Sequence, residues 1–212
     1  MSETIEVASL NANTKPYHHG DLRRQLLDAA AVMMRSDGEA ALSMRKLAQV
    51  VGVSRTAPYH HFSDKQALLC GVAEEGFRRF RDIVSSHPNG AETAIDLDTV
   101  LGFVRRYIDF AVNNAEYYDL MFGGHLWKSQ QLTDSLKNEA YSTFKLYLEH
   151  IKVWQRQGPV SDFDALRYSQ VSWSTLHGMS RLLIDGIYVD SAAIEAMSET
   201  AARMFWRELQ PR

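Results

Sequence analysis

The segment that decides the fold is SMRKLAQVVGVSRTAPYHHFSDK, residues 43–65. Its opening serine is a good N-cap, and the following MRKLAQVV has the apolar spacing of a short helix. Gly52 supplies the positive φ that ends a helix, and a second short helix is predicted from Ser54 to about His61. Two short helices joined by a tight glycine turn are typical of a helix-turn-helix, although such pairs also occur in bundles that do not bind DNA.

The second short helix and the residues after it carry groups that bind phosphate. Cations, hydroxyls and helix N-termini all hold phosphates, and this stretch supplies each of them within a dozen residues. Each residue also has a structural interpretation, because Arg55 could be a solvated charge, Tyr59 the edge of a core and Lys65 a surface lysine. Their conjunction favours nucleic-acid binding.

Helical periodicity extends outward from this segment in both directions. Further helices are predicted from Asp21 to Gly38, over about 64–86, from Asp96 or Asp98 to about 113, and over about 115–122, 129–157, 162–185 and 191–209. No strand, repeat or low-complexity tract is evident, so the predicted class is all-α with about nine helices. Residues 1–16 lack a hydrophobic period and are predicted to be a flexible arm. The breaker His87-Pro88-Asn89-Gly90 predicts a boundary between domains at 17–86 and 91–212.

Charge and cysteine content limit the function classes. The formal net charge is −3. Residues 15–82 nevertheless hold eleven Lys/Arg against eight Asp/Glu, so the first part of the chain can face an anion. The single cysteine, Cys70, excludes an internal disulfide and fits a reducing compartment. Because residues 1–14 do not have the pattern of a signal peptide and no stretch is long and apolar enough to span a membrane, a cytoplasmic protein is expected.

The segment GVSRTAPYHHFSDKQALL, residues 52–69, resembles the signature of the TetR/AcrR family of transcriptional regulators. YHHGDLRRQLLDAA, residues 17–30, resembles the opening of the first helix in many members. WSTLHG, residues 173–178, followed by Asp185-Gly186, resembles the Trp…His-Gly motif of one C-terminal subclass. The sequence departs from the family pattern at Pro58, where members commonly carry a larger apolar residue.

The resemblance implies a three-helix DNA-binding head, with its helix-turn-helix at about 43–62, and a C-terminal helical bundle for ligand binding and dimerisation. Arg55, Thr56 and Ala57 of the recognition helix that Ser54 opens are predicted to face base edges, and His60 to face either bases or phosphates. Phosphate contacts are predicted for Tyr59, His61 and Lys65, with Ser43 and Arg45 as possible additions and Lys15, His18 and His19 reaching from the arm. Phe62 is predicted to be core, beneath Leu47 and Leu68.

The family also implies a homodimer whose interface is formed by the last two helices of each chain. The dimer would bind a palindromic operator, with one helix-turn-helix on each half-site. Small residues in these helices would permit close approach across the dimer, or would merely line a core within the chain. They are Ser169, Ser172, Ser180, Ala193, Ala201 and Ala202.

The central helices are rich in aromatic residues, and the resemblance implies a pocket for a small-molecule effector among them. Aromatic residues at helical spacing are equally typical of a packed core. The candidate pocket residues are Phe103, Tyr107, Phe110, Tyr117, Met121, Phe122, Trp127, Phe144, Trp173 and His177, with Tyr118, His125 and Tyr147 nearby in the sequence. An effector wedged beneath the helix at 64–86 would change the separation of the two recognition helices, and the commonest family mode is repression that the ligand relieves.

Two other function classes compete with a ligand-responsive repressor as interpretations of the sequence. An enzyme is disfavoured because no HExxH, glycine-rich phosphate loop or Cys/His pair is present, and no catalytic residue, metal site or cofactor is predicted. Adjacent histidines such as His60 and His61 point apart on a helix and do not form a metal pair. The alternative is a helical adaptor that binds a protein partner without DNA, which the basic bias around residues 45–65 argues against.

Overall fold

The computed structural model describes residues 19–85, 95–129, 131–157 and 163–210. Within these ranges the chain is helical and contains no strand, which confirms the predicted all-α class. The α-helices there are α1 (His19–Asp37), α2 (Met44–Val51), α3 (Lys65–Ser85), α4 (Leu97–Asn113), α5 (Ala115–Phe122), α6 (Gly124–Lys128), α7 (Asp134–Gln157), α8 (Ala165–Ile184) and α9 (Ser191–Glu208). Two 3-10 turns, Glu39–Ala41 and Ala57–His60, flank α2. The predicted arm at 1–16 and the boundary at 87–90 lie outside the described residues.

The largest departure from the predicted helices lies at residues 54–61. In place of an α-helix that opens at Ser54, the chain makes a turn followed by the 3-10 turn Ala57–His60. Ala57 N and Tyr59 N donate three residues back, to the carbonyls of Ser54 and Thr56, at 3.0 and 3.1 Å. An α-helix would require Pro58 to donate to Ser54, and proline has no N–H to donate.

Helix starts also differ from the prediction, including those of α1 at His19 and α8 at Ala165. The segment before α7 contains the short helix α6, and α7 begins only at Asp134, because Thr133 Oγ1 accepts a hydrogen bond from Leu136 N at 3.2 Å. Helix α3 begins at Lys65 and is capped by Asp64, whose Oδ1 accepts from Ala67 N at 2.8 Å. Local capping therefore moved the starts of α3 and α7 by one to five residues without changing the class.

The N-terminal head is built from α1, α2, the two 3-10 turns and the start of α3. Ser43 caps α2 as predicted, with its side chain accepting from Lys46 N at 3.2 Å. Gly52 closes α2 with φ of 76°, the left-handed conformation in which glycine is favoured. Phe62 is buried, as predicted, and lies against Gly71 of α3.

Helix α3 joins this head to the remaining helices. We call the helices α4 to α9 the body. Helix α3 packs against α1 in the head and against α5 and α7 in the body, while α4 packs against α8 and α9. No helix within the described ranges has the length and apolar character that a membrane crossing requires. Because α3 contacts both the head and the body, a movement of α3 relative to α5 and α7 also changes its contact with α1.

The small residues of α8 and α9 pack mainly inside the chain. Five of the six named above are buried, namely Ser169, Ser172, Ser180, Ala201 and Ala202. Ser172 Oγ also lies 2.8 Å from the hydroxyl of Tyr147 on α7. Only Ala193 of this set is exposed, so for the others the intrachain alternative describes the structure.

Candidate nucleic-acid interface and central cleft

The turn that follows α2 presents a row of outward-facing polar side chains. Arg55, Thr56 and His60 are exposed, and Tyr59 exposes 54% of its surface despite its aromatic ring. Within the described residues, no side-chain hydrogen bond is made by Arg55, Tyr59 or His60, whereas Thr56 Oγ1 lies 3.2 Å from Ser54 Oγ. These side chains are thus available to a partner outside the chain.

Inward-facing residues fix this turn to the head. Pro58 and Phe62 are buried, and Ala57 is half-buried against the hydrophobic core. The ring of His61 is also half-buried and lies 6.4 Å, centroid to centroid, from that of Phe62. Of the residues predicted to touch DNA in this turn, Ala57 and His61 are therefore the least accessible.

Lys65 has an internal role that its sequence context does not reveal. Its Nζ donates to the backbone oxygen of Glu39 at 2.7 Å and so ties the start of α3 to the turn between α1 and α2. The acceptor lies 26 positions earlier in the chain, so no local pattern marks it. Ser43 is occupied as the cap of α2, and Arg45 is exposed on its first turn. Lys15 and His18 lie outside the described residues, and His19 opens α1.

Charged contacts fix the head to the body at two places. Arg35 at the end of α1 donates to both carboxylate oxygens of Glu116 on α5, at 2.6 and 2.7 Å, and to the backbone oxygen of Asn113 at 3.0 Å. Asp28 on α1 accepts from Arg79 of α3 at 2.6 Å and from the hydroxyl of Tyr117 on α5 at 3.1 Å. Both contacts resist a change in the angle between α1 and α5.

A cleft of about 270 Å³ lies among α3, α5, α6, α7 and α8. Its lining comprises Phe77, Met121, Phe122, Trp127, Ala140, Phe144 and Trp173. Five of these belong to the ten predicted pocket residues, whereas Phe77 and Ala140 were missed. An aromatic residue at helical spacing on α3 could have suggested Phe77, but an alanine carries no such signal.

The other predicted pocket residues lie outside this lining. Phe103, Tyr107 and Phe110 are buried in a cluster of rings around Phe80, whose centroid is 4.9 Å from that of Tyr107 and 5.1 Å from that of Phe110. Tyr117 faces α1, where its hydroxyl binds Asp28.

His177 belongs to a chain of polar groups beside the cleft. Its Nδ1 lies 2.9 Å from the hydroxyl of Tyr118, which in turn lies 3.2 Å from the hydroxyl of Tyr107. Burial raises the pKa of Tyr118 to about 12 and that of Tyr107 well above its usual value. Burial, and secondarily the charge of Arg181, lowers the pKa of His177, so a neutral imidazole is favoured.

Helices α8 and α9 leave an apolar face uncovered. Two grooves of about 520 and 430 Å³ share Thr175 and Met204 in their linings. Val171 and Met204 expose 65% and 60% of their surface on this face. Exposed apolar patches are one of the features that mark protein–protein contact sites.

The sequence matches two family models. Residues 26–71 match bacterial regulatory proteins of the tetR family, and residues 100–205 match the tetracyclin repressor-like C-terminal domain. Among curated proteins, the chain is similar to the HTH-type transcriptional repressor Rv1474c of Mycobacterium tuberculosis, with 38% identity over 68 residues, or 32% of this chain and 36% of that protein. The aligned part thus spans about a third of the length of that relative.

Solved structures extend the likeness over the whole fold. A protein of unknown function from Rhodococcus sp. RHA1 has a TM-score of 0.74 and 31% identity, covering 91% of this chain and 97% of that one. A TetR-family transcriptional regulator from Mesorhizobium loti has a TM-score of 0.75 at 17% identity, covering 91% and 98%, and at that identity it shows the fold alone.

Proposed function

Since this chain belongs to the tetR family of bacterial regulatory proteins, we propose that it is a cytoplasmic transcriptional repressor that binds a palindromic DNA operator as a homodimer and is released by a small-molecule effector. The observation that carries the proposal is the exposed set Arg55, Thr56, Tyr59 and His60, held on a turn whose inner side is anchored by buried Pro58 and Phe62. Exposed polar side chains on an anchored turn suit a groove lined by phosphates and base edges.

The outer side chains of this turn have distinct roles in the proposal. Arg55 reads a guanine edge, and the methyl group of Thr56 touches a thymine methyl. Tyr59 and His60 hold phosphates, with Arg45 beside them at the start of α2. Lys65 acts mainly by holding the Glu39 turn in place, and so supports this surface from behind.

The uncovered face of α8 and α9 supplies the dimer contact. A second copy would bury Val171, Met179, Met197 and Met204, which line or border the two grooves. We call residues 54–62 the recognition turn. Two recognition turns related by a two-fold axis would then meet successive major grooves of one operator. The central cleft is the site for the effector, because its walls include α3, the helix that joins head and body.

Selection of bound sequences from random duplex DNA tests the proposal. A palindrome is the expected product, and it would support the DNA surface and the dimer together. Recovery of no preferred duplex at moderate ionic strength would overturn the regulatory function and leave the protein-binding adaptor as the better account.

Substitutions of the proposed DNA-contacting residues then test the recognition turn against the selected duplex. Tyr59→Ala should weaken binding to the selected duplex by roughly tenfold, because one phosphate contact is lost. Arg55→Ala should cost about 1–3 kcal/mol of binding free energy and relax the preference at one base pair. Tyr141→Ala is the matched control, since Tyr141 is 71% exposed on α7 in the body, and it should leave the affinity unchanged.

A further inference from the structure

Helix α3 makes an unusually close contact with the wall of the central cleft at Gly76. A Cβ atom at Gly76 would lie 2.7 Å from Met121 Sδ and 2.9 Å from Met121 Cγ. Met121 is fully buried and is also part of the cleft lining. The thioether therefore fills the space between the cleft and the backbone of α3, and anything that displaces it must press on that helix.

The same helix receives the end of the recognition turn five positions earlier. A Cβ atom at Gly71 would lie 2.7 Å from Phe62 Cε1. The two glycines are separated by about 7.5 Å along the helix axis, at the usual rise per residue. A short rigid piece of α3 thus touches the cleft wall at one end and the base of the DNA-facing turn at the other.

The chemistry of the cleft restricts what it can hold. Its seven lining residues comprise five aromatic residues, one methionine and one alanine, and none is charged. The indole N–H of Trp127 already donates to the backbone oxygen of Met121 at 2.7 Å. A charged ligand would lose its hydration here without gaining an opposite charge, which is costly.

The volume of the cleft sets an approximate size for its ligand. An engineered apolar cavity of about 150 Å³ holds benzene, a ring of six heavy atoms. In proportion, 270 Å³ holds about eleven heavy atoms, which is the size of two fused rings with one substituent. Rings with their faces and edges against Phe77, Phe144 and Trp173 would gain both burial and aromatic contacts.

We propose that the central cleft binds an uncharged, mainly aromatic molecule of about two fused rings, and that Met121 transmits its arrival to the recognition turn through Gly76, α3 and Phe62. This inference rests on the proposed function for its effect on DNA, but its ligand class stands on the cleft alone. The ligand binds more tightly to the conformation in which α3 has shifted away from Met121, and by linkage it weakens DNA binding.

Calorimetry on the full chain without DNA tests the ligand class, with naphthol as the uncharged probe and naphthoate as its charged counterpart. Naphthol should bind, and naphthoate should bind at least about tenfold more weakly because its carboxylate must be desolvated. Ala140→Leu should abolish naphthol binding, because the added side chain fills the cleft. Asn138→Leu, exposed two positions away on α7, should leave it unchanged. Equal binding of the two probes, absence of naphthol binding, or binding that survives Ala140→Leu would overturn the ligand class.

A pair of substitutions tests the role of Met121. Gly76→Ala should push the methionine side chain into the cleft and lower naphthol affinity by roughly tenfold, an effect of about 1.4 kcal/mol. Adding Met121→Ala should restore binding, because the two closest neighbours of the new methyl group are then removed and Tyr117 Cβ, at 3.2 Å, is the nearest atom that remains. Gly178→Ala, where an added Cβ meets nothing within 4 Å, is the control and should have no effect. If Gly76→Ala leaves naphthol affinity unchanged, or the double variant fails to recover while remaining folded by circular dichroism, the contact does not transmit occupancy.

Binding to the selected duplex separates the two proposals. Naphthol should weaken duplex binding by the wild-type chain and have no effect on Ala140→Leu. If the chain binds a duplex but not naphthol, the ligand class is wrong and the repressor function stands. If it binds naphthol but no duplex, the repressor function is wrong and the ligand class stands. Should naphthol bind without changing duplex affinity, the Met121 link to the recognition turn is wrong.

Discussion

The recognition turn and the aromatic interior of the body use similar residue types in opposite ways. In the turn, Tyr59 and His60 face outward, and neither makes a side-chain hydrogen bond within the described part of the chain. In the body, Tyr107 and Tyr118 are fully buried and their hydroxyls are satisfied by one another and by His177. The exposed rings of Tyr59 and His60 therefore add little to the core, whereas the buried rings of Tyr107 and Tyr118 serve the fold.

The body achieves this through one central ring. Phe80 of α3 is fully buried, and its centroid lies 4.9 Å from that of Tyr107 and 5.4 Å from that of Trp173, both nearly perpendicular to it. Edge-to-face pairs of this kind add to the free energy of burial. Because Trp173 also lines the cleft, the packed cluster and the cleft share a wall.

The largest expected effect is the removal of the central ring. Phe80→Ala should lower the free energy of unfolding by about 3–5 kcal/mol, because it deletes a buried ring and leaves a cavity. Tyr59→Ala, which removes a ring from the exposed turn, should change it by less than about 0.5 kcal/mol. Urea denaturation followed by circular dichroism measures both. Equal losses in the two variants would contradict the division between an internal and an external use of aromatic residues.

The next effect concerns the contact that fixes the two regions to one another. Arg35→Met should destabilise the chain by about 1–2 kcal/mol, because the side chain of Glu116 is only 8% exposed and would lose its donors. The loss of stability is no larger because the Arg35 side chain itself is 60% exposed, and water partly screens its charge. Unfolding in urea at low and high salt provides the measurement.

A surface pair supplies the control for this contact. Arg203 and Glu199 on α9 lie 3.0 Å apart with 64% and 42% of their side chains exposed. Arg203→Met should cost at most about 0.5 kcal/mol, as is usual for exposed pairs one helical turn apart. If Arg35→Met is no worse than Arg203→Met, the bidentate contact does not hold the head to the body.

An effect of about the same size is expected at Gly52, between α2 and the recognition turn. Gly52→Ala places a side chain at φ of 76° and should cost about 1–2 kcal/mol, although a Cβ there would meet nothing within 4 Å. Gly178→Ala in the middle of α8 also meets nothing, and should stabilise the chain by up to about 1 kcal/mol. Opposite signs in thermal unfolding would show that backbone conformation, and not space, decides the cost at Gly52.

Much of the head could be predicted from the sequence because its signals are local. Ser43 as a cap, Gly52 as a left-handed terminator and Phe62 as a buried residue all follow from short-range patterns, and the structure confirms each. The exception is the predicted α-helix from Ser54, because Pro58 has no N–H to donate to Ser54 and the hydrogen bonds of Ala57 N and Tyr59 N span three residues. Pro58 is evident in the sequence, but the hydrogen bonds that replace the helical ones depend on the conformation of the whole turn.

The cleft could be predicted only in part because it depends on contacts between distant segments. Aromatic content marked Phe122, Trp127, Phe144 and Trp173 correctly as part of one lining, yet it marked Phe103 equally, and that ring stacks on Tyr147 instead. Periodicity places a residue on the buried face of a helix but does not say whether the opposite wall is close enough to touch it. Close approach at Gly76 is likewise a property of two helices and not of one sequence segment.

The smallest expected effect is the pH dependence that His177 gives to the body. Burial first, and the charge of Arg181 second, lowers the pKa of His177 in the folded chain. The unfolded chain therefore takes up this proton more readily, so the stability that the neutral imidazole contributes is complete above an unfolded pKa of about 6.5 and is lost as the pH falls through the lower folded pKa. Urea midpoints at pH 7.5 and pH 5.0 should differ less in His177→Gln than in the wild-type chain.

Arg181→Met separates the two causes of that pH dependence. Removing the nearby charge should reduce the difference between the two midpoints without abolishing it, since burial remains the larger cause. A complete loss in Arg181→Met would mean that the charge and not the surrounding rings holds His177 neutral. The protonation of His177 would then depend on Arg181, which pairs with Asp119 at the surface. The rings of Phe122 and Tyr118 around the imidazole would shield it from surface charge less than their packing indicates.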